Sequence, residues 1–231
     1  MPAKYRMCCL TKNKTNPAYV GAQIGAARLA NRLGCEIVGY VPEKPDDIDE
    51  QRGHIEAAVA SRPDAILISP VHATALNDSL LEVVEAKIVL VFFVTSAEGI
   101  RANTFITSDN YTLAKNIAGY LIGHLGGTGD IAILEGLPQS PTSPPRTRAF
   151  LDAAAEHPGI NVVARAVGNY QRAEGKAEMA KILARHGRLD GVVRANDIMA
   201  LGALEAAQEA GRKYINVAST LLKVGKADAR K

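Results

Sequence analysis

The sequence predicts an α/β protein of two lobes, each built around its own parallel sheet, and three observations lead there. Short apolar runs alternate with segments of helical periodicity from residue 5 onward, and the alternation restarts at residue 130 as a second round. Alternation of this β-α-β kind assembles a parallel sheet through right-handed crossovers. At 231 residues, 47% hydrophobic and 22% charged, the chain is long enough for one large core or two small ones, and it lacks the composition of a disordered segment. The lobes are expected at residues 1–107 and 108–231, joined near residues 106–109.

Residues 5–10 read as the first strand and 17–33 as the first helix, with Ala22, Ala26, Leu29, Ala30 and Leu33 on one stripe. Asn16 caps that helix, Pro17 suits its first turn because it has no N–H to leave unsatisfied, and Gly34 closes it. Strands at 36–40, 65–69 and 88–93 are separated by helices over 47–60 and 74–86. After a short fifth strand at 104–107, Ser108 and Asp109 cap a helix that carries Leu113, Ile117, Leu121 and Leu125 and ends in Gly126 and Gly127. The second round reads as strand 130–134, helix 147–156, strand 161–167 and helix 172–185. Next, an apolar run at 191–193 stops at Asn196 and Asp197, after which Ile198, Leu201, Leu204 and Glu205 recur at helical spacing. This is strand, turn and helix, with Asp197 as the N-cap and Asn196 left at the strand's C-terminal end, where open α/β sheets place ligand groups. A last strand is expected at 215–218.

Charge and composition exclude several functions. The net charge is +3, but six Lys/Arg and one Asp lie from Arg212 onward, so the rest of the chain sums to −2. That is a basic tail on a near-neutral body, and no nucleic-acid partner is expected. No apolar run reaches the length of a membrane span, so the chain is not expected to be membrane-embedded. Met1-Pro2-Ala3-Lys4-Tyr5 leads almost directly into a strand without a signal-peptide pattern, which suits a mature extracytoplasmic chain or a cytoplasmic one. Cys8, Cys9 and Cys35 form no C-x-x-C pair and the five histidines no H-E-x-x-H pair, so the cysteines read as small core residues and no metal is expected. The glycine-rich turn at 126–129 follows a helix and precedes a strand, the reverse of a dinucleotide or phosphate loop. With no G-x-S-x-G, catalytic triad or paired carboxylates, no catalytic residue and no cofactor is expected.

Polar and aromatic groups collect instead at the strand C-terminal ends. They are Lys12, Asn13 and Asn16 after the first strand, Ser69 after the third, Phe92, Phe93 and Thr95 after the fourth, and Arg146, Tyr170 and Asn196 in the second half. These groups are expected to face one cleft between the lobes, a common place for a small-molecule site. Amide and guanidinium forks suit the adjacent hydroxyls of a sugar, and aromatic faces suit the C–H side of its ring. Ordinary cap and loop chemistry accounts for Lys12, Ser69 and Thr95 equally well.

The stretch from Leu189 to Glu205 resembles the A-x-N-D-x-M-A-L-G-A-L segment of the ribose-type sugar-binding proteins of bacterial ABC importers, and more loosely the effector domains of lactose-repressor-type regulators. The resemblance runs from about residue 5 to about residue 217 and is carried also by Asn16-Pro17, Ser108-Asp109-Asn110, Arg146 to Phe150 and Asn169 to Gly175. It implies two Rossmann-like lobes in a type I periplasmic binding protein fold, a monosaccharide or polyol ligand, and ABC permease subunits as partners. In such proteins the first loop reads N-P-F-F. Here Asn16-Pro17 is followed by Ala18-Tyr19, so Tyr19 is the aromatic that remains to cover a sugar ring. The family's R-x-x-G-F corresponds to Arg146-Thr147-Arg148-Ala149-Phe150, making Arg146 the hydroxyl fork, and its D/N-[FY]-x-R to Asn169-Tyr170-Gln171-Arg172, giving Tyr170 a stacking role.

Two departures bear on function. Where the family often has Asp-Arg after the fourth strand, this chain has Phe92-Phe93-Val94-Thr95, which argues against ribose itself. After Ala218 the sequence turns Lys- and Ala-rich, so by resemblance the C-terminal part is incomplete and a ligand group is missing. Apolar surface on the first lobe is then expected to be uncovered and to favour self-association. The resemblance favours an importer's solute-binding protein over a regulator's effector domain, because no helix-turn-helix precedes Tyr5 and Gly136-Leu137-Pro138-Gln139-Ser140-Pro141 is closer to the importer proteins.

Overall fold

The computed structural model describes residues 5–212, 215–218 and 225–226, and its strands form two five-stranded sheets. The chain divides into two compact units, Met1–Ser108 and Asp109–Lys231. In unit 1 the strands are β1 (Arg6–Leu10), β2 (Glu36–Tyr40), β3 (Ala65–Ile68), β4 (Val89–Phe93) and β5 (Thr104–Ile106). Its helices are α1 (Pro17–Leu33), α2 (Ile48–Ala60) and α3 (Asn77–Glu85). The strand order is β2-β1-β3-β4-β5 and every pair is parallel.

Side chains alternate between the faces of a strand, so the parallel register gathers Cys8, Leu10, Ile66, Ile68, Leu90 and Phe92 on one face. They bury there against Ile55 and Ala58 of α2 and Leu80 and Val83 of α3. Each large aliphatic or aromatic side chain so buried contributes about 1.5–3 kcal/mol, which makes this face the core of unit 1. Phe92 belongs to it, 1% exposed and edge-on to Phe105 with centroids 6.5 Å apart, which corrects the expectation that it faces a ligand. Phe93 takes the opposite face and is only partly buried.

α1 lies on that opposite face against the edge strand β2. Gln23 donates from Nε2 to the Cys9 carbonyl at 2.8 Å and fills the space above Gly39, where a Cβ would stand 2.4 Å from its Oε1. Asn16 caps α1 by accepting from the Ala18 amide at 3.0 Å, a proline occupies the first turn, and Gly34 closes the helix with φ 67°. The expected stripe is covered only in part, with Ala22 and Ala26 partly buried beside the edge strand. Ala30 is buried, whereas Leu29 and Leu33 are 52% and 60% exposed. Cys8 and Cys9 are buried and burial pushes the Cys9 thiol up to about 11, but Cys35, in the turn before β2, is only partly buried and is not a core residue.

Unit 2 contains β6 (Thr128–Glu135), β7 (Gly159–Val167), β8 (Gly191–Arg194), β9 (Asn216–Ala218) and β10 (Gly225–Lys226). Its helices are α4 (Asn110–His124), α5 (Ser143–Ala155), α6 (Arg172–Arg185) and α7 (Asp197–Glu209). The order is β10-β9-β8-β6-β7, parallel except for β10 against β9. The sheet is covered on both faces. Leu121, Ile122, Ile131, Ile133, Phe150 and Val193 form one core with α4 and α5; Ala132, Leu134, Met179, Leu183, Val192 and Ala203 form the other with α6 and α7. Asp109 caps α4, accepting from the amides of Tyr111 and Thr112 at 3.1 and 3.0 Å, while the turn after α4 uses left-handed Gly126 and Gly127.

Three helix starts differ from expectation. α5 begins at Ser143 and not at Thr147, because Pro144 and Pro145 fit a first turn whose N–H groups have no helical acceptor in any case. α3 begins at Asn77 and not at Thr74, because His72 Nδ1 accepts from the amides of Thr74 and Ala75, both at 3.1 Å, and holds that stretch as a turn. α7 is capped by Asn196 and not by Asp197. Asn196 has extended backbone, φ −154° and ψ 168°, and its Oδ1 accepts from the Met199 amide at 2.9 Å, while Asp197 is the first helical residue. The lysine-rich stretch from Ser219 on, where a ligand group was expected to be missing, lies outside the described residues apart from β10.

Candidate functional site

Six non-glycine residues among those described have left-handed φ, and helix ends explain two of them. Arg62 (φ 50°) and Lys87 (φ 58°) follow the C-termini of α2 and α3, where such a residue lets the last carbonyls be satisfied. The other four are Asp46 (φ 59°), Val94 (φ 63°), Asn169 (φ 47°) and Tyr170 (φ 60°), and each stands in a loop leaving the C-terminal end of a strand. Such conformations cost of order 1–3 kcal/mol each and persist only where surrounding contacts hold them. In both units the strain therefore sits at the end of the sheet where the candidate ligand groups were expected.

At that end of unit 1 the loops after β1 and β2 are tied together. Asp46 donates its amide to the Lys12 carbonyl at 3.0 Å and accepts at Oδ2 from Asn13 Nδ2 at 3.1 Å. Asn13 Oδ1 accepts in turn from the Asn16 amide at 2.9 Å and from Thr15 Oγ1 at 3.2 Å. Lys12 and Asn13 are both buried. Burial raises the Asp46 carboxyl above the usual carboxylate range, while the Lys12 charge and the Asn13 hydrogen bond pull it back. Gln51, fully buried on α2, pins the loops after β1 and β3: it donates to the Thr11 and Ser69 carbonyls at 3.3 and 3.1 Å and accepts from the Val71 amide at 2.8 Å. Tyr19 is buried on the first turn of α1.

The end of β4 is a tight turn. Val94, a β-branched residue that resists positive φ, is held by its amide to the Ile106 carbonyl at 2.8 Å and by the Thr95 amide closing on the Phe93 carbonyl at 2.7 Å. Ser69 and Thr95 share a 2.9 Å hydroxyl contact, and Thr95 Oγ1 donates to the Pro70 carbonyl at 2.8 Å. Both hydroxyls are buried and bonded inside unit 1, so they brace this turn.

In unit 2, Asn196 holds two structures at once. Beyond capping α7 through Oδ1, it donates from Nδ2 to the Tyr170 carbonyl at 3.1 Å, clamping the strained 169–170 loop. A carboxylate has no N–H to offer there, which is why Asn and not Asp occupies the position. Tyr170 shares a 2.8 Å hydrogen bond with Thr142 Oγ1, and the hydroxyl end of its ring lies against Gly136, where a Cβ would come within 2.2 Å. Burial raises the Tyr170 phenol pKa, partly offset by Arg146 and the neighbouring hydroxyls. Arg146 donates from Nε to Asn110 Oδ1 at 2.9 Å and from Nη1 to the Ala195 carbonyl, and neither bond uses Nη2. Arg146, Tyr170 and Asn196 thus converge on the β8–α7 turn.

Two residues here went unremarked in the sequence, Asp46 and Arg194. Asp46 gave no local signal, since its role depends on a loop 33 residues away. Arg194 did give one, a charge at the end of an apolar strand, and it is 1% exposed. Among the described residues no group of three His, Cys, Asp or Glu side chains is placed to hold a metal.

Residues 9–225 match the family model of the periplasmic binding protein domain. The chain belongs to the periplasmic binding protein family. Similar relatives of this periplasmic binding protein include the ribose import binding protein of Bacillus subtilis, 27% identical over 200 residues that make up 87% of this chain and 64% of that protein. The ribose import binding protein of Salmonella typhimurium is 28% identical over 216 residues, 93% of this chain and 72% of that one. The chain therefore spans about two thirds to three quarters of the length of these relatives. Among solved structures, a periplasmic solute-binding protein of an ABC transporter from Actinobacillus succinogenes with bound D-allose superposes with a TM-score of 0.86 at 26% identity, covering 92% of this chain and 77% of that one. The fold of this family member is that of the type I periplasmic binding proteins. None of its described helices is long and apolar enough to cross a membrane.

Proposed function

We propose that this periplasmic binding protein is the solute-binding component of an ABC importer, and that it binds a simple sugar or polyol through the groups at the strand C-terminal ends of its two units. The observation that carries this reading is the sorting of backbone strain. All four left-handed residues that no helix end explains lie in those loops, each held by hydrogen bonds or clamps. Rigid, prepaid geometry is what a hydroxyl-recognising site needs, because a loose site would pay the ordering cost on binding. The ribose import names of the relatives and the D-allose of the solved structure support a sugar-sized ligand.

In this reading Lys12, Asn13 and Asn16 supply donors from unit 1, Arg146 and Asn196 supply them from unit 2, and Tyr19, Phe93 and Tyr170 supply the apolar and stacking surface. Its work is binding without bond making or breaking, in the periplasm, with ABC permease subunits as partners. Self-association belongs to the same reading, through apolar side chains that unit 1 leaves exposed on α1 and β2, among them Val20, Ile24, Leu29, Leu33 and Val38.

The test is a thermal-shift screen of pentoses, hexoses, polyols and sugar acids followed by calorimetry. A ligand at a hundred times its Kd adds ~2.7 kcal/mol of apparent stability. Arg146→Ala is expected to weaken the best hit by roughly 1.5 to 3 kcal/mol, the scale of charge-assisted hydrogen bonds. A screen in which no member of these classes shifts the melt removes the reading.

A further inference from the structure

Asp46 stands in the loop after β2 with φ 59°, and its carboxylate begins a short chain of hydrogen bonds that ends at Asn16. Its Oδ2 accepts from Asn13 Nδ2 at 3.1 Å. Asn13 Oδ1 accepts from the Asn16 amide at 2.9 Å and from Thr15 Oγ1 at 3.2 Å, and these two donors fix which way round the Asn13 amide sits. Its Nδ2 must then meet an acceptor, and that acceptor is the Asp46 carboxylate. Asn16 uses its own Oδ1 on the Ala18 amide at 3.0 Å, which leaves Nδ2 as the free end of a partly buried side chain; it bonds to none of the described residues and is not sealed from solvent. Of the other charged groups on these loops and at the start of α2, Lys14 pairs with Glu43, Lys44 with Asp47 and Arg52 with Asp49, while Glu50 accepts from the amides of Glu43 and Lys44. Among the described residues only the Lys12 charge acts on the Asp46 carboxyl, and burial outweighs it, raising the carboxyl above the usual carboxylate range.

We propose that Asp46 is a positioning residue for sugar binding: acting through Asn13, its carboxylate holds Asn16 so that the free Nδ2 meets a ligand hydroxyl, and affinity depends on a charge that does not touch the ligand. The inference rests on the sugar-binding reading above and deepens it by adding the residue that controls Asn16. Asp46 becomes neutral as pH falls. A protonated carboxyl either puts an O–H where a carboxylate oxygen accepted or leaves a neutral carbonyl as a weaker acceptor, and the tie to Asn13 loosens both ways. Because burial raises this carboxyl, the change sets in at a pH above that of an ordinary aspartate. A raised carboxyl holds its proton more tightly in the folded chain than in the unfolded one. Acid therefore does not destabilise the fold through this group, and a loss of affinity there is not a loss of structure.

Calorimetry with D-ribose, D-allose, D-xylose, xylitol and myo-inositol, followed from neutral pH down to about pH 5, tests this. Wild-type affinity for the probes that bind is expected to fall by roughly three- to tenfold over that range, the difference between a charged and a neutral acceptor. Asp46→Asn keeps an acceptor for Asn13 and tolerates the left-handed φ, so it is expected to fold, to show the weaker affinity already at neutral pH, and to lose the pH dependence. In an Asn13→Ala background the same change is expected to have no further effect. A flat wild-type profile, or an Asp46→Asn variant that binds as tightly as the wild type at neutral pH, would overturn the proposal while leaving sugar binding intact. A loss that persists undiminished in the Asn13→Ala background overturns it as well, and would mean that Asp46 acts through Lys12. Binding of none of these probes removes the parent reading and this one together. The wild-type profile needs no variant, so a variant that fails to fold does not blunt the test.

Discussion

At the scale of single residues, Asn196 shows how one side chain can be asked to do two incompatible things by any substitute. Its oxygen caps α7 and its nitrogen clamps the carbonyl of Tyr170. Asn196→Asp keeps an acceptor for the Met199 amide but turns an N–H donor into a carboxylate oxygen facing a carbonyl; Asn196→Ala loses both bonds. We expect Asn196→Ala to cost about 1 kcal/mol for the cap, with more for the loop, which at this chain length lowers the melting temperature by roughly 2–4 °C per kcal/mol. Asn196→Asp should melt closer to the wild type yet bind sugar as poorly as the alanine variant. Full affinity in Asn196→Asp, measured by calorimetry, would show that the clamp on Tyr170 has no part in binding.

At the scale of elements, α6 and α7 pack closely because Gly202 permits it. A Cβ there would stand 2.2 Å from the Arg172 carbonyl oxygen and 2.8 Å from the Lys176 nitrogen, both backbone atoms of α6 that cannot swing aside. Gly202→Ala is therefore expected to destabilise unit 2 by about 1–3 kcal/mol or more through overpacking. Gly21, also helical but with nothing within 4 Å of its added Cβ, should respond the other way, Gly21→Ala gaining up to about 1 kcal/mol from helix propensity. Denaturant melts of the two variants check the pair. Similar losses in both would mean that backbone preference, and not the approach of α7 to α6, sets the cost at Gly202.

At the scale of the whole molecule, each unit meets its own needs differently. The sheet of unit 2 has helices on both faces, and its interior is two continuous cores. Unit 1 has one such core, on the α2 and α3 face, while α1 leaves Val20, Ile24, Leu29 and Leu33 at 40%, 48%, 52% and 60% exposure. Apolar surface left wet costs about 25 cal/mol for each Å², so a patch of a few hundred Å² drives association by several kcal/mol. Light scattering should show concentration-dependent association, and the double variant Leu29→Lys, Leu33→Lys should reduce it without changing sugar affinity. A wild-type chain that stays monomeric at high concentration would remove this part of the proposal.

What the sequence by itself determined is most of what is written in short-range code, although the starts of α3 and α5, also set within a few residues, fall elsewhere than expected. Periods of two and of 3.6 residues placed the strands and helices, and Asn16-Pro17, Gly34, Asp109 and Gly126-Gly127 marked element ends, because a cap or a left-handed turn is settled within a few residues. The tertiary structure alone decided matters that need a distant partner. Asn196 and Asp197 are equivalent caps on paper, and a carbonyl 26 residues upstream favours the amide. Phe92 and Phe93 are equivalent until the pairing of β4 with β3 assigns one to the core. The α1 stripe is apolar in sequence whether or not a surface exists to cover it, and the charge at Arg194 is visible in sequence while its burial is not. Periodicity reports which residues share a face; only the approach of other elements decides whether that face is dry, and which hydrogen-bond partner waits there.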